Sequence, residues 1–295
     1  MGFRPIEIIP SLVAVFESQN NGEPVEITDL FPVYNTHMEE NLRHPLLIDP
    51  PLMNAAGSLG FAPDLRTPLP WAEFGAFVTN PISVQPRRPA STMRWKEFPG
   101  GVLLHSGHPN PGFRQVINQF AQRWAQSPLP VIVHLLAARP EEIQGCVLQL
   151  EVVENVSAVE IGFPHSMGGL EAAEIVAAAL GEIPAIARLP MDRCIELASI
   201  VEEAGAAAVS LGPPRGSLPA NDSFMHGRMY GPAVFPLGIQ MTAELYAMGI
   251  PVIGAGGVYE RQQVEEMQRA GAMAVQVDLA LWRGDWKELQ EEELL

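Results

Sequence analysis

The sequence predicts an α/β fold, a (β/α)8 TIM barrel with a short N-terminal extension. From about residue 47 onward, short β-branched or apolar runs alternate with helical stretches, a pattern typical of parallel strands joined by crossover helices. Eight such units can be counted, the number that closes a barrel. The length of 295 residues suits one large barrel and leaves no room for a second full domain.

The strands and helices follow from apolar runs, helical periodicity and Pro or Gly turns. The predicted strands are Leu52–Ala56, Ala76–Asn80, Val131–Leu135, Ala158–Phe163, Ala185–Leu189, Ala207–Leu211, Val252–Ala255 and Ala274–Val277. The clearest predicted helices are Glu141–Glu154, Leu170–Leu180, Asp192–Ala204, Pro232–Met248 and Glu260–Ala270. Pro130, Pro184 and Pro251 each restart the chain just before a strand.

Residues 1–45 do not continue this rhythm. The polar stretch Ser18–Pro24 separates two short apolar pieces there. We therefore expect residues 1–45 to form an N-terminal extension, as a cap on the barrel or an oligomer contact, and residues 46–295 to form the barrel. The prediction leaves room for a homo-oligomer.

Composition and charge restrict the function classes. A net charge of −16 argues against nucleic acid or anionic membranes as partners, because there is little basic surface to offset phosphate repulsion. No apolar run approaches the roughly 18 residues that span a bilayer, so we expect a cytoplasmic protein acting on a small molecule. Cys146 and Cys194 fall in predicted helices and are interpreted as ordinary buried thiols.

Polar residues at the strand ends are the candidates for a site, because barrel active sites lie at the carboxyl ends of the strands. They are Asn54, Thr79, Asn80, His134, Glu160, Arg188 and Asp278. Each could instead be structural, since an unpaired polar group in an apolar run costs several kcal/mol and some must pair with each other. Three of them, His134, Glu160 and Arg188, lie on consecutive strands, which favours a shared pocket.

Several glycine-containing motifs give the barrel a family resemblance. They are Pro51–Gly57, Gly75–Arg87, Gly107–Gly112, Met229–Pro232 and Ile253–Gly257 followed by Ala274–Ala280. Their order and spacing resemble the dihydroorotate dehydrogenases, FMN enzymes that oxidise dihydroorotate to orotate on a (β/α)8 barrel. The resemblance runs from about residue 47 to 284.

The resemblance implies a flavin site. Ala55, Ala56 and Gly57 correspond to the first strand, where small residues let the backbone approach the flavin. The amides of Gly256, Gly257 and Leu279 correspond to the positions that hold the FMN phosphate, as amides converging on an anion can. Further positions that would contact the cofactor are Asn80, His134, Arg188, Gly231 and Asp278.

The departures from the family fall on its reactive positions. Asn80 replaces a flavin-contacting lysine, whereas Arg188 keeps a positive charge that would stabilise a reduced, anionic flavin. Asp278 replaces a glycine beside the phosphate amides, where a carboxylate repels a phosphate. Asn80 and Asp278 therefore argue against an ordinary FMN site.

The substrate positions depart from the family as well. Phe163 stands where the family has its catalytic Cys or Ser base, and Leu104 and Pro213 replace asparagines that hold orotate. Glu160 and His165, one loop from that vacant position, are the candidate catalytic acid–base residues.

These observations leave three hypotheses. The first is a dihydroorotate dehydrogenase-like FMN-dependent oxidoreductase acting on CH–CH bonds with altered substrate specificity. The alternative is a non-catalytic ligand-binding or assembly barrel that has lost flavin chemistry. A metal-assisted enzyme is the third, but no metal-ligand spacing supports it and we expect no metal site.

Overall fold

The computed structural model describes residues 46–91, 94–220 and 223–286. The extension predicted for residues 1–45 lies outside the described residues, so its boundary with the barrel stays a prediction. Eight parallel strands form one sheet, in the spatial order β1-β12-β11-β8-β7-β6-β5-β2. They are β1 (Leu52–Asn54), β2 (Phe77–Val78), β5 (Val131–Leu136), β6 (Val156–Gly162), β7 (Ala185–Pro190), β8 (Ala208–Gly212), β11 (Val252–Ala255) and β12 (Ala274–Val277).

The sheet curls so that its two edges meet. The first edge strand, β1, pairs with β12 on one side, and Met53 forms a parallel bridge with Ala76, next to β2, on the other. The Asn54 side chain completes the seam, since its Nδ2 donates to the Val78 carbonyl at 2.7 Å and its Oδ1 accepts from the Val78 amide at 2.9 Å. The predicted (β/α)8 barrel is thereby confirmed, with all eight strands where the sequence placed them.

Helices follow most of the strands and cover the outside of the barrel. They are α1 (Phe113–Ala125), α2 (Pro140–Leu150), α3 (Gly169–Ala178), α4 (Cys194–Glu203), α5 (Phe235–Ala247), α6 (Arg261–Arg269) and α7 (Leu279–Arg283). Amphipathic packing explains them. In α2, for example, Ile143, Val147 and Leu150 are buried against the barrel while Glu141 is exposed. Two of these helices, α1 and α7, are not among the five clearest helices that the sequence predicts.

A second sheet, also not predicted, covers the mouth of the barrel. Its antiparallel strands β3 (Trp95–Phe98), β4 (Gly101–Leu104), β9 (Arg215–Ala220) and β10 (Ser223–Tyr230) lie in the order β3-β4-β10-β9. The β3–β4 hairpin follows barrel strand β2, and the β9–β10 hairpin follows β8. We call this four-stranded sheet the lid sheet.

The barrel interior is layered because side chains alternate along each strand. Ile132, Ala158 and Ile186 contribute to an apolar layer at one level. Two residues further along the same strands, His134, Glu160 and Arg188 form a buried polar layer. Gly162 and Gly212 lie one level above, where the absence of side chains opens the barrel towards the lid sheet.

The described helices include none long and apolar enough to cross a membrane.

Candidate functional site

A cavity of about 210 Å³ lies between the polar layer and the lid sheet, at the carboxyl ends of the strands. The barrel contributes His134, Arg188, Gly162 and Gly212 to its walls, and the lid sheet contributes Arg215, Arg228 and Tyr230. Its size falls below the roughly 300–1,000 Å³ of sites for drug-sized ligands. The cavity therefore suits a small molecule, at the place where barrel enzymes carry their active sites.

His134 and Glu160 form a buried pair at the floor of this cavity. The two residues are direct neighbours across β5 and β6, and His134 Nδ1 lies 2.6 Å from Glu160 Oε2. The other ring nitrogen, Nε2, has no hydrogen-bond partner among the described residues, while His134 lines the cavity. A Cβ at position 162 would lie 2.5 Å from Nε2, so Gly162 leaves room for the ring at the cavity floor.

Glu160 is fully buried and has a partner for each of its oxygens. Oε1 accepts hydrogen bonds from Ser210 Oγ and Gln276 Nε2, both at 2.7 Å, and Arg188 Nη1 lies 3.5 Å from Oε2. Gln276 also accepts a hydrogen bond from Arg188. Burial alone would raise the pKa of Glu160, but the Arg188 charge and the hydrogen bonds from His134 and Ser210 outweigh it and lower the pKa to about 2. Glu160 is thus a carboxylate at neutral pH.

The pKa of His134 moves in the direction that keeps the ring neutral. Burial lowers this pKa, and the opposing hydrogen bond and charge of Glu160 do not restore it. A neutral ring beside a carboxylate carries its proton on Nδ1, which donates to Glu160. The lone pair then lies on Nε2, beside Gly162, where it can accept a hydrogen bond or a proton.

Arginines dominate the cavity wall, although the chain as a whole is acidic. Arg87, Arg188, Arg215 and Arg228 all line it, and no described Asp or Glu does. Arg188 is offset by Glu160 beneath it. The side chains of Arg87, Arg215 and Arg228 make no ion pair or hydrogen bond within the described ranges.

The two predicted catalytic residues occupy different places. Glu160 lies under the cavity and reaches it through His134. His165 lines the rim, about half exposed, with Nδ1 3.1 Å from Asp192 Oδ2. The structure therefore brings Glu160, His134 and Arg188 together as the sequence predicted, but keeps His165 apart from them. A catalytic role for either Glu160 or His165 stays a prediction.

Several of the residues predicted to contact the flavin also have partners within the barrel, and their cofactor role stays a prediction. Asn80 Oδ1 accepts a hydrogen bond from the Gly60 amide, which ties the loop after β1 to the end of β2. Ala55 is buried and donates its amide to the Val277 carbonyl, while Ala56 lines the cavity. Gly231 packs on the β3–β4 turn, since a Cβ there would meet the Gly100 carbonyl oxygen at 2.4 Å.

The amides predicted to hold the FMN phosphate do not fit that group in this structure. Asp278 is buried, and its own carboxylate accepts the hydrogen bond from the Leu279 amide as the N-cap of α7. Gly257 packs against the turn before α5, because a Cβ there would meet the Phe235 amide nitrogen at 2.5 Å. None of Gly256, Gly257, Asp278 and Leu279 lines the cavity. A phosphate at these amides would have to displace the Asp278 side chain from the Leu279 amide. Burial raises the pKa of Asp278.

Sequence reasoning missed residues that complete the site. Ser210 and Gln276, which bind Glu160, are neutral and do not stand out in apolar strands. Arg215 and Arg228 lie in a single hairpin, β9–β10, that carried no strand signal. A signal was nevertheless present: Arg215 and Arg228 follow the end of β8, where loops build the mouth of a barrel.

The other reactive side chains are less informative. Cys146 and Cys194 are buried as free thiols, and burial raises their pKa values to about 11 and about 12. Within the described ranges, no three His, Cys, Asp or Glu side chains converge as a metal site would require.

Comparison with known proteins shows which proteins this chain is similar to. No protein-family model matches it. It is 29% identical over 252 residues to the catalytic subunit of dihydroorotate dehydrogenase B (NAD(+)) from Geobacillus sp. (strain WCH70). That alignment covers 78% of this chain and 80% of the Geobacillus protein. The same subunit from Bacillus cereus (strain AH187) is also 29% identical, covering 78% of this chain and 82% of the relative. These relatives confirm the resemblance seen in the motifs, and the chain is similar to the dihydroorotate dehydrogenases at 29% identity.

Proposed function

We propose that this chain is a dihydroorotate dehydrogenase-like enzyme of altered substrate specificity in which His134 is the general base. The observation that carries the proposal is the orientation of His134, with Nδ1 held by Glu160 at 2.6 Å and Nε2 beside Gly162, which also lines the cavity. The relatives are dihydroorotate dehydrogenases, whose reaction removes a proton and a hydride from neighbouring carbons. The base that the family places on a loop is replaced here by Phe163, and His134 supplies that capacity from the barrel floor.

The substrate is proposed to differ from dihydroorotate. Phe163 and Pro213 line the cavity, and neither offers a hydrogen bond to a pyrimidine ring. A site that has lost the hydrogen-bond partners of its substrate discriminates poorly in favour of that substrate. We therefore expect oxidation of dihydroorotate to be weak or absent.

The hydride half of the reaction is not assigned to any residue of this chain. FMN accepts the hydride in the family, but the Leu279 amide is engaged by Asp278 and Gly257 is packed against the Phe235 amide. The proposal accordingly covers binding, orientation and proton transfer by His134 and Glu160.

A second candidate is the ligand-binding barrel without catalysis. Asp278 favours it, because its carboxylate occupies the amide where the family would hold the cofactor phosphate. In that case the cavity would bind a small molecule and His134 would serve only the buried polar layer.

Proton exchange separates the two candidates without depending on the cofactor. The purified protein is incubated in D2O with small acids that have a C–H bond next to a carbonyl, dihydroorotate included, and deuterium incorporation is followed by NMR. We expect exchange in at least one of them, reduced about 10²–10⁴-fold in His134→Gln.

His165→Gln is the matched control, since His165 is the other histidine proposed as a base, and we expect it to keep exchange near the wild-type rate. Equal exchange in wild type and His134→Gln, or none with any acid, would contradict the enzyme and favour the ligand-binding barrel. The visible spectrum of the same sample shows whether flavin accompanies the protein.

A further inference from the structure

Two arginines stand directly opposite each other on the lid sheet. Arg215 of β9 and Arg228 of β10 are Cα partners in the antiparallel register, and both line the cavity. Directly opposite residues share one face of a sheet, with Cβ atoms about 4.5–5.5 Å apart, and like charges in this position are destabilising. A pair that costs stability in the unliganded protein indicates a binding role.

Other positive charge reaches the same cavity. Arg87 lines it from the loop after β2, and Arg188 lines it from the barrel. Burial lowers the pKa of Arg228, and the charges of Arg215, Arg188 and Arg87 lower it further, so three other guanidinium groups act on Arg228 in the cavity. Glu160 offsets Arg188 from below, which leaves three arginines without a described counter-charge.

His108 supplies an independent observation. It lines the cavity, and its Nε2 is buried without a hydrogen-bond partner in the described chain. Its backbone has φ 52°, a left-handed conformation that non-glycine residues seldom adopt and that clusters at ligand sites. Burial, followed by the charge of Arg228, lowers the pKa of His108 to about 2, so the ring is neutral and offers a hydrogen bond rather than a charge.

We infer that this arginine cluster, Arg87, Arg215 and Arg228, binds a small substrate carrying two negative charges, such as a dicarboxylate or a phosphate monoester. The three arginines carry three positive charges, more than a dianion can neutralise. Guanidinium groups also match carboxylate and phosphate oxygens with paired hydrogen bonds. The volume of about 210 Å³ limits the substrate to a few carbon atoms beyond its acidic groups. The inference rests on the proposed function in one respect, since it names the class of substrate that would meet His134.

Isothermal titration calorimetry with four probes tests the charge requirement: succinate and methyl phosphate as dianions, orotate as a monoanion and dihydrouracil as a neutral compound. We expect at least one dianion to bind more tightly than orotate and dihydrouracil, and its affinity to fall with ionic strength. Arg228→Met should weaken dianion binding on the order of 10²-fold. Arg269→Met, on the exposed end of α6, is the matched control and should leave binding unchanged.

Two further measurements keep the result interpretable. Without ligand, Arg228→Met should melt at or above the wild-type temperature, because it removes like-charge repulsion; a lower melting temperature would contradict the strained pair. His134→Gln should still bind the dianion, so a failure of catalysis is distinguishable from a failure of binding. The inference is overturned if neither dianion binds more tightly than both orotate and dihydrouracil, or if Arg228→Met and Arg269→Met behave alike.

Discussion

At the scale of single residues, some charged side chains of the site have partners within the described protein, and others have none. Glu160 is balanced, with Arg188, Ser210, Gln276 and His134 around it. The sequence predicted that Glu160, His134 and Arg188 would meet, because parallel strands carry their inward residues to one level. The sequence could not show that Glu160 would form a hydrogen bond with His134, because that contact depends on side-chain rotamers.

The buried Glu160 carboxylate should make stability fall in acid. Its pKa is lowered from the ordinary value of 4.5 to about 2 in the folded protein, so its contribution is present above 4.5 and is lost as pH falls towards 2. We expect the free energy of unfolding, measured by urea titration at a series of pH values, to drop across this window. Glu160→Gln should flatten that part of the curve, and an unchanged slope would show that Glu160 is not the titrating group.

The Asp278 carboxylate should control access to the Leu279 amide. Asp278→Gly removes the carboxylate that caps α7 and restores the residue that the family has at this position. We expect wild type to retain little FMN on gel filtration after incubation with it, and Asp278→Gly to retain more, as measured by absorbance. The cap loss should cost about 1 kcal/mol of stability. Stoichiometric FMN in the wild-type protein would refute this account of Asp278.

At the scale of elements, the strands of the barrel were readable and those of the lid sheet were not. Barrel strands are continuous apolar runs because they are buried on both faces. The β9 segment Arg215–Ala220 contains Gly and Pro and alternates between exposed and half-buried residues, so it has the composition of a loop. Its strand conformation is stabilised by pairing with β10, which lies on the same sheet as β4 from a distant part of the chain.

A single glycine controls the junction within the lid sheet. A Cβ at Gly227 of β10 would lie 2.7 Å from the Leu104 carbonyl oxygen of β4. We expect Gly227→Val to separate β10 from β4 and abolish dianion binding, while the far-ultraviolet circular dichroism of the barrel is largely kept. Gly145→Ala in α2 is the control, because a Cβ there meets nothing within 4 Å, and it should bind normally. Normal binding by Gly227→Val would show that the sheet junction does not form the site.

At the scale of the whole molecule, closure of the barrel depends on a side chain. Strands β1 and β2 are three and two residues long, so their backbone pairing is limited to the bridge beside Met53. Asn54 extends this seam with its two hydrogen bonds to Val78. The sequence marked Asn54 as a strand-end polar residue, but only the register of the closed barrel reveals its partner.

Removing this side chain should weaken the closed barrel. Asn54→Ala leaves the Val78 amide and carbonyl buried without those partners, at about 1–3 kcal/mol for each unsatisfied group. We expect a loss of that order in the free energy of unfolding, measured by chemical denaturation. Asn118→Ala, on the exposed face of α1, is the control and should change stability by less than about 0.5 kcal/mol. Similar effects of the two substitutions would show that Asn54 does not hold the seam.

The lid sheet is built from two hairpins that lie far apart along the chain, and this separation affects the order of events during folding. Its β3–β4 and β9–β10 hairpins are separated along the chain by barrel strands β5 to β8, so the contact between Leu104 and Arg228 has a long sequence separation. Contacts of this kind form slowly because closing the long intervening loop costs conformational entropy. We therefore expect the barrel wall from β5 to β8 to form before the two hairpins meet. A nascent chain would acquire its barrel strands one by one but its binding competence in a single late step, once β10 has been synthesised.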